Sequence, residues 1–434
     1  MEYTPSNMKS ALLNGSLDER LAVVYGPDPR VLRAQAERYA GAIDDFVSTF
    51  GHESDPVLIL SAPGRTEIGG NHTDHQHGRV LAASVNLDVI AVAALTENGV
   101  IRVQSRGFAG MDVADISDLA PKERERNHSA SICRGVAARF AQLGYAVGGF
   151  DAYTTSDVLK GSGLSSSAAF EVLLGVILNH AYNNGTIDAV TLAQIGQYAE
   201  NHYFGKPCGL MDQTASSVGS FVTIDFNDPS APVVEQIDFD LAASGYALCI
   251  VDSAGNHADL TADYAAIPAE MKTVASFFGK EVLRDVCVGE FYKSIRALRQ
   301  SGISDRAILR AMHFFADNER VAAQADALRR GDFQAFLRMV NESGYSSYMY
   351  NQNVFSPAHP EEQGIAVALA LAERLLRDKG GAWRVHGGGF AGTIQTFIPV
   401  EAVPVCKTQF EEAFGAGCFH PLAIRGVGGV CVLQ

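Results

Sequence analysis

The chain has 434 residues, 47% of them apolar, and a net charge of −15. That length accommodates two lobes around a large core, and the acidic balance argues against a general nucleic-acid binder, whose phosphate contacts need clustered Lys and Arg. The seven cysteines are scattered, odd in number and never in a CxxC pair, so neither a zinc ribbon nor a disulfide framework is indicated. No apolar run approaches the ~20 residues that span a bilayer, and "MEYTPSNMKSALLNGSLDER" lacks the apolar core of a secretory signal. A soluble cytoplasmic protein with no membrane partner is expected.

The first 50 residues read as a helical extension, with "VLRAQAERYAGAIDDFVSTF" close to a 3.6-residue apolar spacing. Next, "PVLILSAPG", "GRVLAASVNLDVIAVAALTE" and "VIRVQSRG" are β-branched and broken by Gly, Asn and Asp, which predicts strands. Helical periodicity returns at "SASICRGVAARFAQLGY", and "GGFDAYTTSDV" is extended. "SSSAAFEVLLGVILN" predicts a helix opened by serine caps, and "TLAQIGQYAENHYFG" the next helix. "DFNDPSAP" is a turn-rich break before strand-like "YALCIVDS". The rest is largely helical from 262 to 379, then Gly-rich, then strand-like. Strands and helices fall in blocks, which predicts an α+β fold of two lobes, 1–240 and 241–434.

Three glycine-rich stretches carry the chemistry. "SAPGRTEIGGNHTDHQHG", 61–78, holds His72, His75 and His77 with Asp74, but lacks the helical spacing of a zinc motif. A metal site, a phosphate loop and a polyol grip built on one Arg, one Asp and one Asn all stay open at this point. In "LKGSGLSSSAA", Gly161 and Gly163 let the backbone approach a ligand, and the helix that follows presents free N–H groups to an anion. No Gly-Lys-Ser follows, so it is not a Walker A loop. "WRVHGGGFAGTIQTFIP" satisfies GxGxxG at Gly387, Gly389 and Gly392, but the strand expected after it refuses a dinucleotide fold. Such a loop can still lie against a ligand or a neighbouring loop.

Together, "APGRTEIGGNHTDH", "GSGLSSSAA", "CGLMDQTASSVG" and "HGGGFAG" resemble the galactokinase branch of the GHMP small-molecule kinases, over most of the chain from about Leu58. The resemblance implies a two-lobed GHMP fold with the active site between the lobes, and transfer of the γ-phosphoryl group of MgATP to the anomeric hydroxyl of galactose. It implies that Asp212 orients the attacking hydroxyl and accepts its proton, beside Arg65, which offsets phosphoryl charge. It implies a nucleotide loop of Gly161, Ser162, Gly163, Leu164, Ser165, Ser166 and Ser167, with Ser167 and Glu200 as Mg²⁺ ligands. Asn71, His72, Asp74 and Tyr264 would contact the sugar. Partners would be limited to the sugar and MgATP, and the chain would act as a monomer.

Departures bear on the substrate. The family's Gly-Glu-His-Thr-Asp-Tyr is "GNHTDH" here, which places Asn71 where a glutamate faces the C6 hydroxyl. An amide both donates and accepts, so galacturonate joins galactose as a candidate, as does N-acetylgalactosamine. "DHQ" at 74–76 also occurs in plant-type galacturonate kinases. A non-catalytic sugar and ATP sensor would be expected to lose the Ser-Ala step of the nucleotide loop, and Ser167-Ala168 is intact.

Overall fold

The computed structural model describes residues 3–159, 163–206, 208–255 and 260–433. The first fifty residues form the helices Pro5–Leu13, Asp18–Tyr25 and Pro29–Phe50. Asp28 caps the longest by accepting from Arg30 N–H, and Gly51 ends it in the left-handed region at φ 76°. Their apolar stripe, including Tyr39, Ile43 and Phe46, is buried against Ile59, Ile90 and Val92 of the sheet beneath. The buried Asp88 carboxylate fastens them: it accepts from Tyr25 Oη at 2.7 Å, Arg38 Nη1 at 2.5 Å and Arg425 Nη1 at 3.0 Å. Burial would push that carboxyl up, but the Arg38 and Arg425 guanidiniums outweigh it and hold it low.

The strands of the larger sheet are β1 (Leu58–Gly69), β2 (Arg79–Thr96), β3 (Val100–Ser105), β4 (Met111–Asp115), β5 (Gly149–Ser156), β6 (Phe221–Asp225) and β7 (Val233–Ile237). The smaller sheet holds β8 (Tyr246–Asp252), β9 (Ala382–Val385), β10 (Thr393–Pro399) and β11 (Phe419–Leu422), and β12 (Val430–Leu433) ends the chain. The larger sheet runs β12-β1-β2-β5-β3-β4, with β6 on the first half of β2 and β7 on β6. The smaller runs β11-β8-β10-β9. The chain therefore changes sheets between β7 and β8, but β12 returns to pair with the edge of β1. The last strand thus belongs with the first lobe, because β1 offers it an unpaired ladder.

β1 explains why the site forms where it does. All twelve of its residues are buried, as in a strand covered on both faces: Ile59 meets the N-terminal helices, while Leu58, Leu60 and Ala62 meet the helix Ser166–Tyr182. "SAPG", which reads as the end of a strand, lies inside it. The pairing with β2 shifts between Pro63 and Arg65, and such a bulge re-aims the side chains beyond it.

Candidate active site

Gly64 sits at the bulge because nothing larger fits: a Cβ there would meet Leu164 O at 2.8 Å. That close approach joins the first two motifs. Arg65 N–H donates to Leu164 O at 3.0 Å, and Arg65 Nη1 donates to Gly163 O. The rest of the guanidinium faces Asp212, with Nε 2.7 Å from Oδ1 and Nη2 2.7 Å from Oδ2. Ser165, in the left-handed region at φ 54°, donates from Oγ to Asp212 Oδ2. Serine caps were expected at this helix start. Ser165 does occupy the N-cap position, but its side chain makes no capping bond because Asp212 takes its hydroxyl.

Asp212 lies in the first turn of the helix Met211–Val218, where the helix dipole favours an anion. Ser216 on the same helix donates to Pro63 O at 2.6 Å and locks it against β1. Burial would push the Asp212 carboxyl up, but the Arg65 guanidinium, its hydrogen bonds, that of Ser165, and Lys206 hold it below the usual carboxylate range. Asp212 is thus an ionised acceptor, fixed on two sides and still partly open.

Next to it lies a cavity of about 500 Å³. Its wall is apolar at Val89, Phe108, Ile132, Val158, Phe170 and Phe204, and polar at Ser166, Ser167, Glu171, Glu200 and Lys206. Glu200 opens a single π-helical turn, Glu200–Phe204, that ends the helix Ala189–Ala199. Rather than pointing to solvent it is buried, with Lys206 Nζ 3.3 Å from Oε1. Gln213 Nε2 donates both to Glu200 Oε2 at 3.1 Å and to Glu171 Oε2 at 2.9 Å. Burial, then the Glu200 charge, pushes the Glu171 carboxyl well up. Ser167 is exposed on the cavity surface. Leu164 is not a lining residue: its side chain is in the core, and only its carbonyl serves the site. Gly161 and Ser162 fall outside the described residues.

On the other side of Asp212 the first and third loops meet. Asp74 is half-buried, accepts from His75 N–H at 3.0 Å, and approaches Gly209 so closely that a Cβ there would meet Asp74 Oδ2 at 2.3 Å. Gly209 lies three residues before Asp212, so the two carboxylates border one cleft. His72 Nε2–H donates to Gly388 O at 2.9 Å. Burial, followed by the neighbouring His75, lowers its pKa to about 4, so the ring is neutral at pH 7. Tyr264 Oη donates to Gly389 O at 2.8 Å, and its ring lies over Gly388, where a Cβ would meet Cε1 at 2.2 Å. The third loop links β9 to β10, and His386 at its start lies 3.0 Å from both Thr66 Oγ1 and Thr393 Oγ1.

Asn71 is placed differently from the expectation that its amide faces a sugar hydroxyl. It has no exposed surface. Nδ2 donates to Glu67 Oε1 at 3.0 Å and Gly387 O at 2.8 Å, while Oδ1 accepts from Ser347 Oγ at 3.1 Å and Asn353 Nδ2 at 2.8 Å. All of its polar capacity is spent within the protein, so here it joins loops rather than meeting a ligand. Sequence reasoning missed Glu67, Glu171, Lys206 and Gln213. Alternation along β1 was the available signal for Glu67, two residues after Arg65.

Two family models match the chain: the GHMP kinases N terminal domain over residues 131–220 and the galactokinase galactose-binding signature over residues 44–95. A galactokinase of Glaesserella parasuis is 31% identical over 85% of this chain and 92% of its own length. A galactokinase of Streptomyces coelicolor is 32% identical over 88% of this chain and 94% of its own. Among solved structures, Lactococcus lactis galactokinase complexed with galactose shares the fold, with a TM-score of 0.77 at 23% identity over 91% of this chain and all of that one. A mevalonate kinase superposes less closely, at a TM-score of 0.60 and 12% identity over 85% of this chain and 99% of its own. Fold and glycine loops thus define a small-molecule kinase of the GHMP class. Within that class, the chain belongs to the galactokinase family.

Proposed function

We propose that the chain phosphorylates the anomeric hydroxyl of galactose with ATP, acting as a cytoplasmic monomer on two small molecules. The observation that carries this reading is the position of Asp212: an ionised carboxylate held by Arg65 and Ser165, with the serine-lined cavity on one side and the Asp74 cleft on the other. A volume of about 500 Å³ is in the range of a nucleotide site. Its apolar wall suits the base, and Ser166, Ser167 and the start of their helix suit the phosphates.

In this reading Asp212 accepts a hydrogen bond from the attacking hydroxyl, orients it, and takes its proton as the phosphoryl group moves across. Arg65 keeps Asp212 ionised and offsets charge on the transferring group. Ser167 and Glu200 offer the hard oxygen ligands that Mg²⁺ prefers, and the ion would neutralise phosphate charge. Asp74, His72 and Tyr264 border the sugar, with the third loop closing over it. ADP release, measured with galactose, galacturonate and N-acetylgalactosamine in turn, tests the reading. Turnover of galactose supports it, and ADP release with none of the three would sink it.

A further inference from the structure

We propose that Glu67 is a substrate-contacting residue: its Oε2 accepts a hydrogen bond from a hydroxyl of the sugar, while Asn71 and Arg384 hold Oε1. The inference rests on the sugar-kinase reading above and deepens it. Its first support is placement. Pairing of β1 with β2 is unbroken from Arg65↔Ser84 to Glu67↔Ala82, so the two side chains leave the strand on the same face. That is the face on which Arg65 reaches Asp212. Beyond Arg384, the charges acting on Glu67 include Arg65 and Asp74, which border the cleft.

The second support is the division of labour between the two carboxylate oxygens. Oε1 accepts from Asn71 Nδ2 at 3.0 Å and from Arg384 Nη2 at 2.7 Å. Arg384 is wholly buried and sends its other N–H groups to Ile68 O and Val385 O, so its charge serves Glu67 and not a ligand. Among the described residues Oε2 has no donor, yet it is not one of the polar atoms sealed from solvent without a partner. The side chain is 6% exposed, and this oxygen shares in that opening. A fixed acceptor with one oxygen kept open is suited to reading a hydroxyl. With Glu67, Asp74 and Asp212 all facing the acceptor, a neutral polyol is favoured over a sugar acid. Asn71 then acts as a positioning residue for Glu67.

The test is steady-state kinetics with MgATP on the native chain and on Glu67→Gln, using galactose, galacturonate and the deoxygalactoses that retain the anomeric hydroxyl. If the native chain does not turn over galactose, the sugar-kinase reading fails, whatever Glu67 does. Given turnover, Glu67→Gln raises the galactose KM by about tenfold or more, the loss expected for one hydrogen bond to a charged group. The preference for galactose over galacturonate falls by about tenfold. The deoxygalactose lacking the contacted hydroxyl is penalised in the native chain and not in the variant. An unchanged galactose KM, with the same deoxygalactose penalties in both proteins, would overturn the proposal. If Glu67→Gln does not fold, Asn71→Ala leaves the carboxylate in place, held at Oε1 by Arg384 alone. It raises the galactose KM while keeping the preference over galacturonate, and a folded Asn71→Ala with native KM overturns the proposal equally.

Discussion

Replacing Asp212 by Asn keeps the shape of the side chain and removes its charge. Asp212 now receives Arg65 Nε at one oxygen and Arg65 Nη2 at the other, each at 2.7 Å, with Ser165 Oγ also on the second. An amide accepts at only one of these atoms, so a donor is left facing a donor and one charge-assisted bond of ~1.5–3 kcal/mol is lost. The larger effect is chemical. The amide cannot take the proton of the attacking hydroxyl, a role worth roughly 10²–10⁴-fold. Together these lower kcat by about 10³-fold or more, or ~4 kcal/mol of barrier. ATP affinity, set by the neighbouring cavity, changes by less than about threefold, because Asp212 is not among its lining residues. ADP-coupled kinetics give the first quantity and calorimetry with ATP the second. A folded variant whose kcat stays within about tenfold of native would refute the assignment and send the proton elsewhere.

Other consequences follow from the same geometry. Glu200→Gln removes the only carboxylate proposed for Mg²⁺, so the Mg²⁺ concentration giving half-maximal activity rises by about tenfold or more; an unchanged Mg²⁺ titration would place the ion elsewhere. Asn71→Asp sets a carboxylate oxygen against Glu67 Oε1 and Gly387 O, both acceptors, and costs about 2–4 kcal/mol in urea unfolding. A variant of native stability would contradict the buried network. Gly388→Ala brings a Cβ against Tyr264 Cε1, displaces the ring from the loop, and raises the sugar KM more than the ATP KM; equal effects on both would count against Tyr264 bordering the sugar. Asp88 has a folded pKa held below its unfolded value, so its contribution is fully present above about pH 4 and is lost as pH falls through the folded value. Asp88→Asn should therefore destabilise by ~3–5 kcal/mol at pH 7, and by progressively less in acid. A pH-independent difference would remove the charge argument.

The motifs were legible because close approach leaves a mark in glycine. Gly64 lies against the backbone oxygen of Leu164, Gly209 against the Asp74 side chain and Gly388 against the Tyr264 ring, so a Cβ at any of them forces a shift, and each lies in or beside a stretch readable from the sequence. Helices of the extension were legible from periodicity, but their docking on Asp88 was not, since Tyr25, Arg38 and Arg425 reach it from distant parts of the chain. The continuation of β1 through Pro63 was hidden because a bulge absorbs the proline. Glu200 reads as a solvated helix carboxylate until a π turn and Lys206 bury it. The orientation of Asn71 was the least legible feature. It depends on Ser347, Asn353 and Gly387, whose positions nothing local to "GGNHTDH" encodes. Glu67 lies two residues before that stretch, and strand alternation from Arg65 alone would have placed it on the face of Arg65.

The measurement that bears most directly on the central claim is the product formed from galactose and MgATP, read by phosphorus NMR. The expected product is a single sugar phosphate whose phosphorus couples to the anomeric proton, formed by the native chain and lost with Asp212→Asn. Phosphate at any other hydroxyl, or no sugar phosphate from a folded native chain, would contradict it.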